Sequence, residues 1–470
     1  MTAADDDLAY LGVAEALALM RARKLSPVEL VTALIRRVEA FEPLLHAFVT
    51  PTPEIALARA REAGRVLMAG DGGALTGIPY GLKDVIATAG VRTTGQSRIF
   101  ADHVPSVDAE VERRLKAAGA VLMGKLTTYE LAHGGPSWDL PWPPAMNPWK
   151  KGRLPGSTSS GAGAALAAGF LPAAIGTDTG GSIRMPAAVC GVVGVKPTFG
   201  TVSRSGVLPN TPSFDICGPM ARSVEDAALL LEAIVGHDPL DHGSVERPAA
   251  ASLATLRGGV AGLRIGWVRH WYDGDPRCHP DVPPAVEAAV TVLAQQGAVV
   301  EEIELSPLLT YQDCKTTISI AEMYSAYEHA FRTRPGDFGM MFRNKVLSGA
   351  LIRAEDYVQA TRQRLWLAQE LARTFADFDM LATAGWMTVA DPADPDTTES
   401  FLRPPNITTP FNIGGQPAMC LPCGFSREGL PLSLQLAARP HEDATMLRAA
   451  FTYESAVDWR SRRPTEGLAA

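Results

Sequence analysis

The chain of 470 residues is long enough for about two or three average domains, yet large α/β enzymes often fold as one unit, and we expect a single domain over residues 1–470. Its 46% hydrophobic and 20% charged residues are typical of a globular protein with a large core, which excludes extended disorder. The net charge of −8 comes without basic runs, which argues against nucleic-acid and anionic-membrane partners.

The N-terminal region predicts a protein that starts with helices and carries no targeting segment. The opening MTAADDDLAYLGV is acidic where a secretory signal peptide is basic. No stretch reaches the roughly 18 to 20 uninterrupted apolar residues of a membrane-spanning helix, so we expect a cytoplasmic protein without a membrane partner. Ser26 and Glu29 form a capping-box pattern with Pro27 at the first helical position, which predicts a helix from residue 27 onwards.

Strand and helix patterns then alternate along most of the chain. Predicted strands cover residues 79–86, 120–124, 192–195, 263–268, 299–305, 418–422 and 432–436, and predicted helices cover residues 108–118, 161–170, 224–235, 282–296 and 444–455. This alternation is typical of an α/β fold in which helices cover a sheet.

Two segments predict features around a substrate pocket. Residues 134–156 are rich in proline and tryptophan and predict an ordered loop, and residues 311–378 predict a variable helical region near the pocket. Tyr129 and Trp138 are the predicted pocket residues, because aromatic side chains can wall an apolar cavity, although they can equally pack in the core. Residues 391–405 predict a polar, proline-bearing loop.

Residues 155–197 contain two clusters rich in glycine and hydroxyl residues, and this density predicts an active site built largely from backbone. Ser182 is the best candidate nucleophile. The first cluster lacks the lysine of a phosphate-binding G-x-x-x-x-G-K-[ST] motif, and Ser182 is not in a G-x-S-x-G elbow. The six cysteines are scattered and predict reduced thiols, and Cys420 with Cys423 makes a poor metal site, so we expect no metal.

Three blocks resemble the amidase signature family: GIPYGLKD at residues 77–84, PGSTSSG at residues 155–161 and GTDTGGSIR at residues 176–184. The matching core covers residues 26–235 and 400–460. The resemblance implies the amidase signature fold, a central mixed β-sheet surrounded by α-helices, and a cofactor-independent Ser-cis-Ser-Lys triad. Lys83 matches the base of that triad and Ser182 its acylated nucleophile. A lysine acts as a base at neutral pH only if burial lowers its pKa.

The middle position of the triad departs from the family pattern. Aligned without gaps on Gly161, the relay position lies 24 residues before Ser182 and is occupied by Thr158. Threonine keeps the hydroxyl that a relay needs, so we favour Thr158, with Ser159 as the alternative by a one-residue shift. The resemblance also implies a cis peptide bond before the relay residue.

The last two predictions from the sequence concern the oxyanion hole and the reaction. The backbone amides of Thr179, Gly180 and Gly181 are the predicted oxyanion hole. We expect a serine amidohydrolase that cleaves small-molecule amides, esters or carbamates (urethanes) as a monomer or homodimer without nucleic acid. The alternative is a glutaminase that resembles the A subunit of tRNA-dependent amidotransferases, which share these blocks and work in a complex that binds tRNA.

Overall fold

A mixed 11-stranded sheet organises the computed structural model, which describes residues 7–246, 252–394 and 404–469. The strands are β1 (Phe48–Pro51), β2 (Pro79–Lys83), β3 (Val121–Leu126), β4 (Ala173–Asp178), β5 (Val193–Lys196), β6 (Ile216–Ala221), β7 (Arg264–Trp267), β8 (Val299–Glu302), β9 (Met380–Ala384), β10 (Ala418–Phe425) and β11 (Pro431–Ala438). Their order across the sheet is β1-β3-β2-β4-β6-β5-β10-β11-β9-β7-β8.

Helices pack against this sheet along its length. They are α1 (Val13–Arg21), α2 (Pro27–Leu45), α3 (Pro53–Ala69), α4 (Glu110–Ala117), α5 (Ser160–Ala167), α6 (Arg184–Cys190), α7 (Val224–Ile234), α8 (Ser252–Thr255), α9 (Val282–Gln295), α10 (Leu308–Thr333), α11 (Met340–Val346), α12 (Ala354–Asp377), α13 (Pro410–Ile413) and α14 (Asp443–Ala456). Every residue of β2, β3, β4, β6, β9 and β11 is buried. Successive strand residues point to opposite faces, so these strands are covered on both sides. The predicted mixed sheet surrounded by helices is confirmed.

The strand directions place the ends of two buried strands side by side. Strand β2 runs parallel to β3 and to β4, whereas β4 and β6, and β10 and β11, pair antiparallel. Because the carboxyl ends of parallel strands meet at one edge, the last residues of β2 and β4 lie close together. Lys83 ends β2 and Asp178 ends β4.

The predicted capping box explains where helix α2 begins. The Ser26 hydroxyl accepts a hydrogen bond from the backbone amide of Glu29 at 3.1 Å, and the Glu29 carboxylate accepts one from the backbone amide of Ser26 at 2.8 Å. Both contacts satisfy amides that the first turn of a helix leaves without partners. This prediction is confirmed.

Two further expectations from the sequence concern a membrane-spanning helix and the polar loop of residues 391–405. No helix among the described residues is both long and apolar enough to span a bilayer. Residues 395–403, within the predicted polar loop of residues 391–405, lie outside the described residues.

Candidate active site

Lys83 lies at the centre of a buried cluster of hydroxyl groups. In the parallel pairing of β2 with β4, Leu82 is opposite Ile175, so Lys83 extends beside the following residues of β4. Its ammonium nitrogen Nζ donates to Thr158 Oγ1 at 2.6 Å and to Thr177 Oγ1 at 2.8 Å, and it lies 3.5 Å from the Thr177 carbonyl oxygen. The ammonium therefore has two neutral hydroxyl partners and a carbonyl, and no direct contact with a carboxylate among the described residues.

These surroundings change the pKa of Lys83. The Lys83 side chain is fully buried, and burial lowers its pKa from 10.5 to about 7, because a cation loses its hydration in the protein interior. The more distant carboxylates of Asp178 and Asp215 act in the opposite direction. A lysine with this pKa is present as a neutral amine in a large fraction of molecules near neutral pH, and a neutral amine can accept a proton.

The candidate relay residues differ in what they touch. The Thr158 hydroxyl contacts Lys83, whereas the Ser159 hydroxyl donates to the carbonyl oxygen of Thr177 at 3.3 Å. The Ser182 hydroxyl lies 3.2 Å from the Ser157 hydroxyl. Within the two candidates for the middle position, the geometry therefore favours Thr158 as the neighbour of the lysine.

The loop that carries these hydroxyls is held close to the backbone of neighbouring segments. Helix α5 begins directly after it, and a β-carbon added to Gly161 would lie 2.5 Å from the backbone nitrogen of Thr127, so only glycine fits there. Every peptide bond of the described residues is trans, so the cis bond that the resemblance implies before the relay residue is not present. The trans form is the less costly one for a residue other than proline.

A buried ion pair shapes the turn that presents Ser182. The guanidinium of Arg184 contacts both carboxylate oxygens of Asp178 at 2.9 Å and also donates to the Thr408 carbonyl at 2.7 Å. Asp178 accepts hydrogen bonds from the backbone amides of Gly181 at 2.8 Å and of Ile183 at 3.3 Å. Burial alone would raise the pKa of Asp178, but Arg184 beside it holds that pKa well below its ordinary value. The pair thus fixes the backbone on both sides of the candidate nucleophile.

Removing the arginine of this pair is expected to destabilise the fold. The Arg184→Met variant would leave the carboxylate of Asp178 buried without its cation, which costs about 3–5 kcal/mol in free energy of unfolding. Urea denaturation followed by circular dichroism measures the change. Arg257→Met is the matched control, because Arg257 and Glu225 form an exposed pair of the kind that contributes about 0–1 kcal/mol. Equal losses in both variants would contradict a structural role for the buried pair.

Only two of the three backbone amides of the predicted oxyanion hole are free of hydrogen bonds to other described residues. The amide of Gly181 is engaged by Asp178, whereas the amides of Thr179 and Gly180 form no hydrogen bond with other described residues. The carbonyl oxygen of Gly180 accepts from Asn406 Nδ2 at 2.6 Å and from Thr408 Oγ1 at 2.7 Å, which fixes the orientation of that peptide. Two backbone donors two and three residues before Ser182 are therefore available to bind an anion.

The predicted pocket aromatics differ in burial and in contacts. Tyr129 is buried and its hydroxyl donates to the Gly156 carbonyl at 2.8 Å, so it braces the loop beside the site. Trp138 is 40% exposed. Trp149 packs on Phe425 with ring centroids 5.1 Å apart. The tryptophan-rich segment thus supplies structural contacts and an exposed ring.

Sequence reasoning assigned no role to several residues of the site. Thr177 contacts Lys83 only because β2 and β4 pair in parallel, and Ser157 stands where the family pattern has glycine. Lys315, on helix α10, reaches Gly180, and Thr408 reaches the same peptide from a distant loop. Ser157 and Thr177 left a signal, because each is a hydroxyl residue inside a signature block.

The comparison with family models decides the family. The model of the Amidase family matches residues 29–447. The chain belongs to the amidase signature family. Its activity class is the cleavage of a carbon–nitrogen bond, as the family match and the relatives agree.

The relatives within this family include parts of a larger enzyme. The A subunit of glutamyl-tRNA(Gln) amidotransferase from Chloroflexus aggregans is 39% identical over 97% of this chain and 99% of that protein. The solved structure of the A subunit from Thermotoga maritima is 30% identical, covers 98% of this chain and 97% of that one, and has a TM-score of 0.81. A structure described as a vestigial protein complex that reveals the origins of an s-triazine catabolic enzyme has 31% identity, 95% and 98% coverage and a TM-score of 0.89.

These relatives correct the predicted function. The expectation of a free-standing hydrolase of small amides, esters or carbamates is wrong, because relatives similar over nearly the whole chain are subunits of a glutamyl-tRNA(Gln) amidotransferase. The expectation of a monomer or homodimer without a nucleic-acid partner is wrong for the same reason. The inference of an apolar substrate rests on tryptophans, yet the structure uses Trp149 for packing and exposes Trp138.

Proposed function

We propose that this chain is the amide-cleaving A subunit of a glutamyl-tRNA(Gln) amidotransferase. In this role it hydrolyses the side-chain amide of glutamine, and the ammonia released is used by the partner subunits to amidate a glutamyl-tRNA. The observation that carries the proposal is the 39% identity over 97% of the chain to such a protein, in a structure with a buried lysine and a serine in the signature positions.

Each residue of the site has its own role in the proposed reaction. Ser182 attacks the carboxamide carbon of glutamine, and its proton passes through the Thr158 hydroxyl to the neutral amine of Lys83. The amides of Thr179 and Gly180 stabilise the negative oxygen of the tetrahedral intermediate. The proton held by Lys83 then goes to the leaving nitrogen, so ammonia departs and a glutamyl ester remains on Ser182. Water activated by the same path hydrolyses this ester to glutamate.

The dipeptide 157–158 contacts both the candidate nucleophile and the lysine. The Ser157 hydroxyl is next to Ser182, and the adjacent Thr158 hydroxyl is next to Lys83. The lowered pKa of Lys83 lets the amine accept a proton near neutral pH.

The proposal is tested with the assembled enzyme. The chain is co-expressed with the other amidotransferase subunits of its source organism, and ammonia release from glutamine is measured with and without glutamyl-tRNA. We expect release that depends on glutamine and formation of glutaminyl-tRNA. An assembled complex that binds glutamyl-tRNA but releases no ammonia from glutamine would contradict the proposal.

The relay assignment gives a separate prediction. Thr158→Ala is expected to lower kcat by about 10²- to 10⁴-fold, the usual contribution of a positioned proton-transfer group. Thr158→Ser keeps the hydroxyl and is expected to retain most of the activity. Ser159→Ala is the matched control, because its hydroxyl contacts the Thr177 carbonyl and not Lys83. Steady-state glutaminase kinetics measure all three, and a collapse of Ser159→Ala alone would show that Ser159 is the relay.

A further inference from the structure

A lysine of helix α10 lies against the peptide that supplies an oxyanion donor. A β-carbon added to Gly180 would lie 3.1 Å from Nζ of Lys315 and 3.0 Å from its Cε. Glycine at this position therefore leaves room for the ammonium group. Gly180 is two residues before Ser182, so the ammonium lies beside the turn that carries the candidate nucleophile.

Lys315 has no counter-ion within the described part of the chain. Its ammonium forms no hydrogen bond or ion pair there, although the side chain is half-buried. The two carboxylates that act on it electrostatically are already engaged, Asp215 by the Thr179 hydroxyl and two backbone amides, and Asp178 by Arg184. A partly buried cation without a partner is costly, and a bound anion offsets that cost.

Lys315 stays protonated at neutral pH although its surroundings lower its pKa. Burial lowers the pKa of Lys315 to about 8, and the neighbouring Lys345 acts in the same direction. Protonated lysine therefore predominates below pH 8. Lys345 adds a second positive charge that acts on this ammonium, against the carboxylates of Asp215 and Asp178.

A buried histidine beside these lysines has one ring nitrogen without a hydrogen-bond partner among the described residues. His133 is 6% exposed, its Nδ1 contacts Asn210 Oδ1 at 3.4 Å, and its Nε2 has no hydrogen-bond partner among the described residues. Burial lowers the pKa of His133 well below its ordinary value, and Lys345 and Lys315 add to this effect, so the ring is neutral. A buried ring nitrogen without a partner indicates that a polar group completes the space next to the lysines.

We infer that Lys315 binds a carboxylate of the substrate, next to the oxyanion donors of Thr179 and Gly180. The inference rests on the proposed function, and in glutamine the group bound is the α-carboxylate. The short aliphatic side chain of glutamine separates this carboxylate from the reacting amide, so one molecule can contact Lys315 while its carbonyl faces Ser182. Lys315 is then a specificity residue: it selects amides that carry an anionic group.

The test compares two substrates that differ in this group, with the assembled complex. Glutaminamide has a carboxamide in place of the α-carboxylate of glutamine. For the Lys315→Met variant we expect the ratio of kcat/KM for glutamine to that for glutaminamide to fall about 10- to 100-fold, the usual effect of losing a hydrogen bond to a charged group. Lys315→Arg keeps the charge and is expected to restore part of the ratio. Lys150→Met, which removes a lysine paired with Glu428, is the matched control and should leave the ratio unchanged.

The outcomes separate this inference from the function on which it rests. If the wild-type complex releases ammonia from glutamine but Lys315→Met leaves the ratio unchanged, the assignment of Lys315 is overturned and the amide-cleaving role stands. Equal rates of the wild type on both substrates would also overturn it. A wild-type complex that releases ammonia from neither substrate would overturn the proposed function and the inference with it.

Discussion

The Ser182→Ala variant is expected to lose at least about 10⁴-fold in kcat for ammonia release from glutamine, because the proposed reaction requires the Ser182 hydroxyl as nucleophile. The fold should persist, since Ser182 lies on a turn that Asp178 and Arg184 hold. Ammonia release and thermal unfolding of the same preparation measure the two effects. The expected loss is therefore in the chemical step and not in stability.

Ser160→Ala is the matched control for this variant. Ser160 is a buried serine of the same two clusters, and its hydroxyl contacts the Thr127 carbonyl at 3.4 Å. It is expected to keep most of the activity. Activity of Ser182→Ala within a factor of about ten of the wild type, at unchanged stability, would contradict the assignment of the nucleophile.

Replacing Lys83 is expected to lower the rate and to remove its pH dependence. The pKa of Lys83 is lowered to about 7, so the amine is protonated and inactive as a base below pH 7 and neutral above it. In the wild type kcat/KM should therefore rise with pH, with a midpoint near 7. Lys83→Met should lower kcat/KM by about 10²- to 10⁴-fold and remove this rise. A pH series of kcat/KM from about 5.5 to 9 measures both.

A second buried lysine provides the control for the pH profile. Burial also lowers the pKa of Lys196 to about 7, but its ammonium donates to the backbone carbonyls of Pro197 and Gln416. Lys196→Met should keep the rise of kcat/KM near pH 7. If the rise disappears in Lys196→Met and persists in Lys83→Met, the base is not Lys83.

The signature blocks point to Lys83 and Ser182 of the candidate site, but not to how the sheet brings the site together. Lys83 and Ser182 can be found because their blocks are unusual in residue type and spacing. Strands β4 and β6 escape prediction, because AAIGTD and ICGPMA are rich in small residues, glycine or proline and lack the alternation of a half-buried strand. The contact of Thr177 with Lys83 depends on the pairing of β2 with β4, which no local pattern contains.

The prediction of function fails for physical reasons that can be named. Tryptophan enrichment at residues 138–149 suggests an apolar pocket, yet composition does not distinguish a ring in a cavity from one that packs on a neighbour such as Phe425. The net charge of −8 argues against nucleic acid, but the charge of one chain does not describe the surface of a complex such as the proposed one, in which another subunit can carry the tRNA. Lys315 gives no signal because its partner in space, Gly180, is far away in sequence.

The central claim is that Ser182 carries the glutamyl group during cleavage of glutamine. The assembled complex is mixed with glutamine, quenched rapidly in acid and digested, and the peptide that contains Ser182 is examined by mass spectrometry. We predict a fraction of this peptide with the added mass of one glutamyl group in the wild type, and none in Ser182→Ala. Release of glutamate and ammonia with the glutamyl group on a different residue would contradict the account.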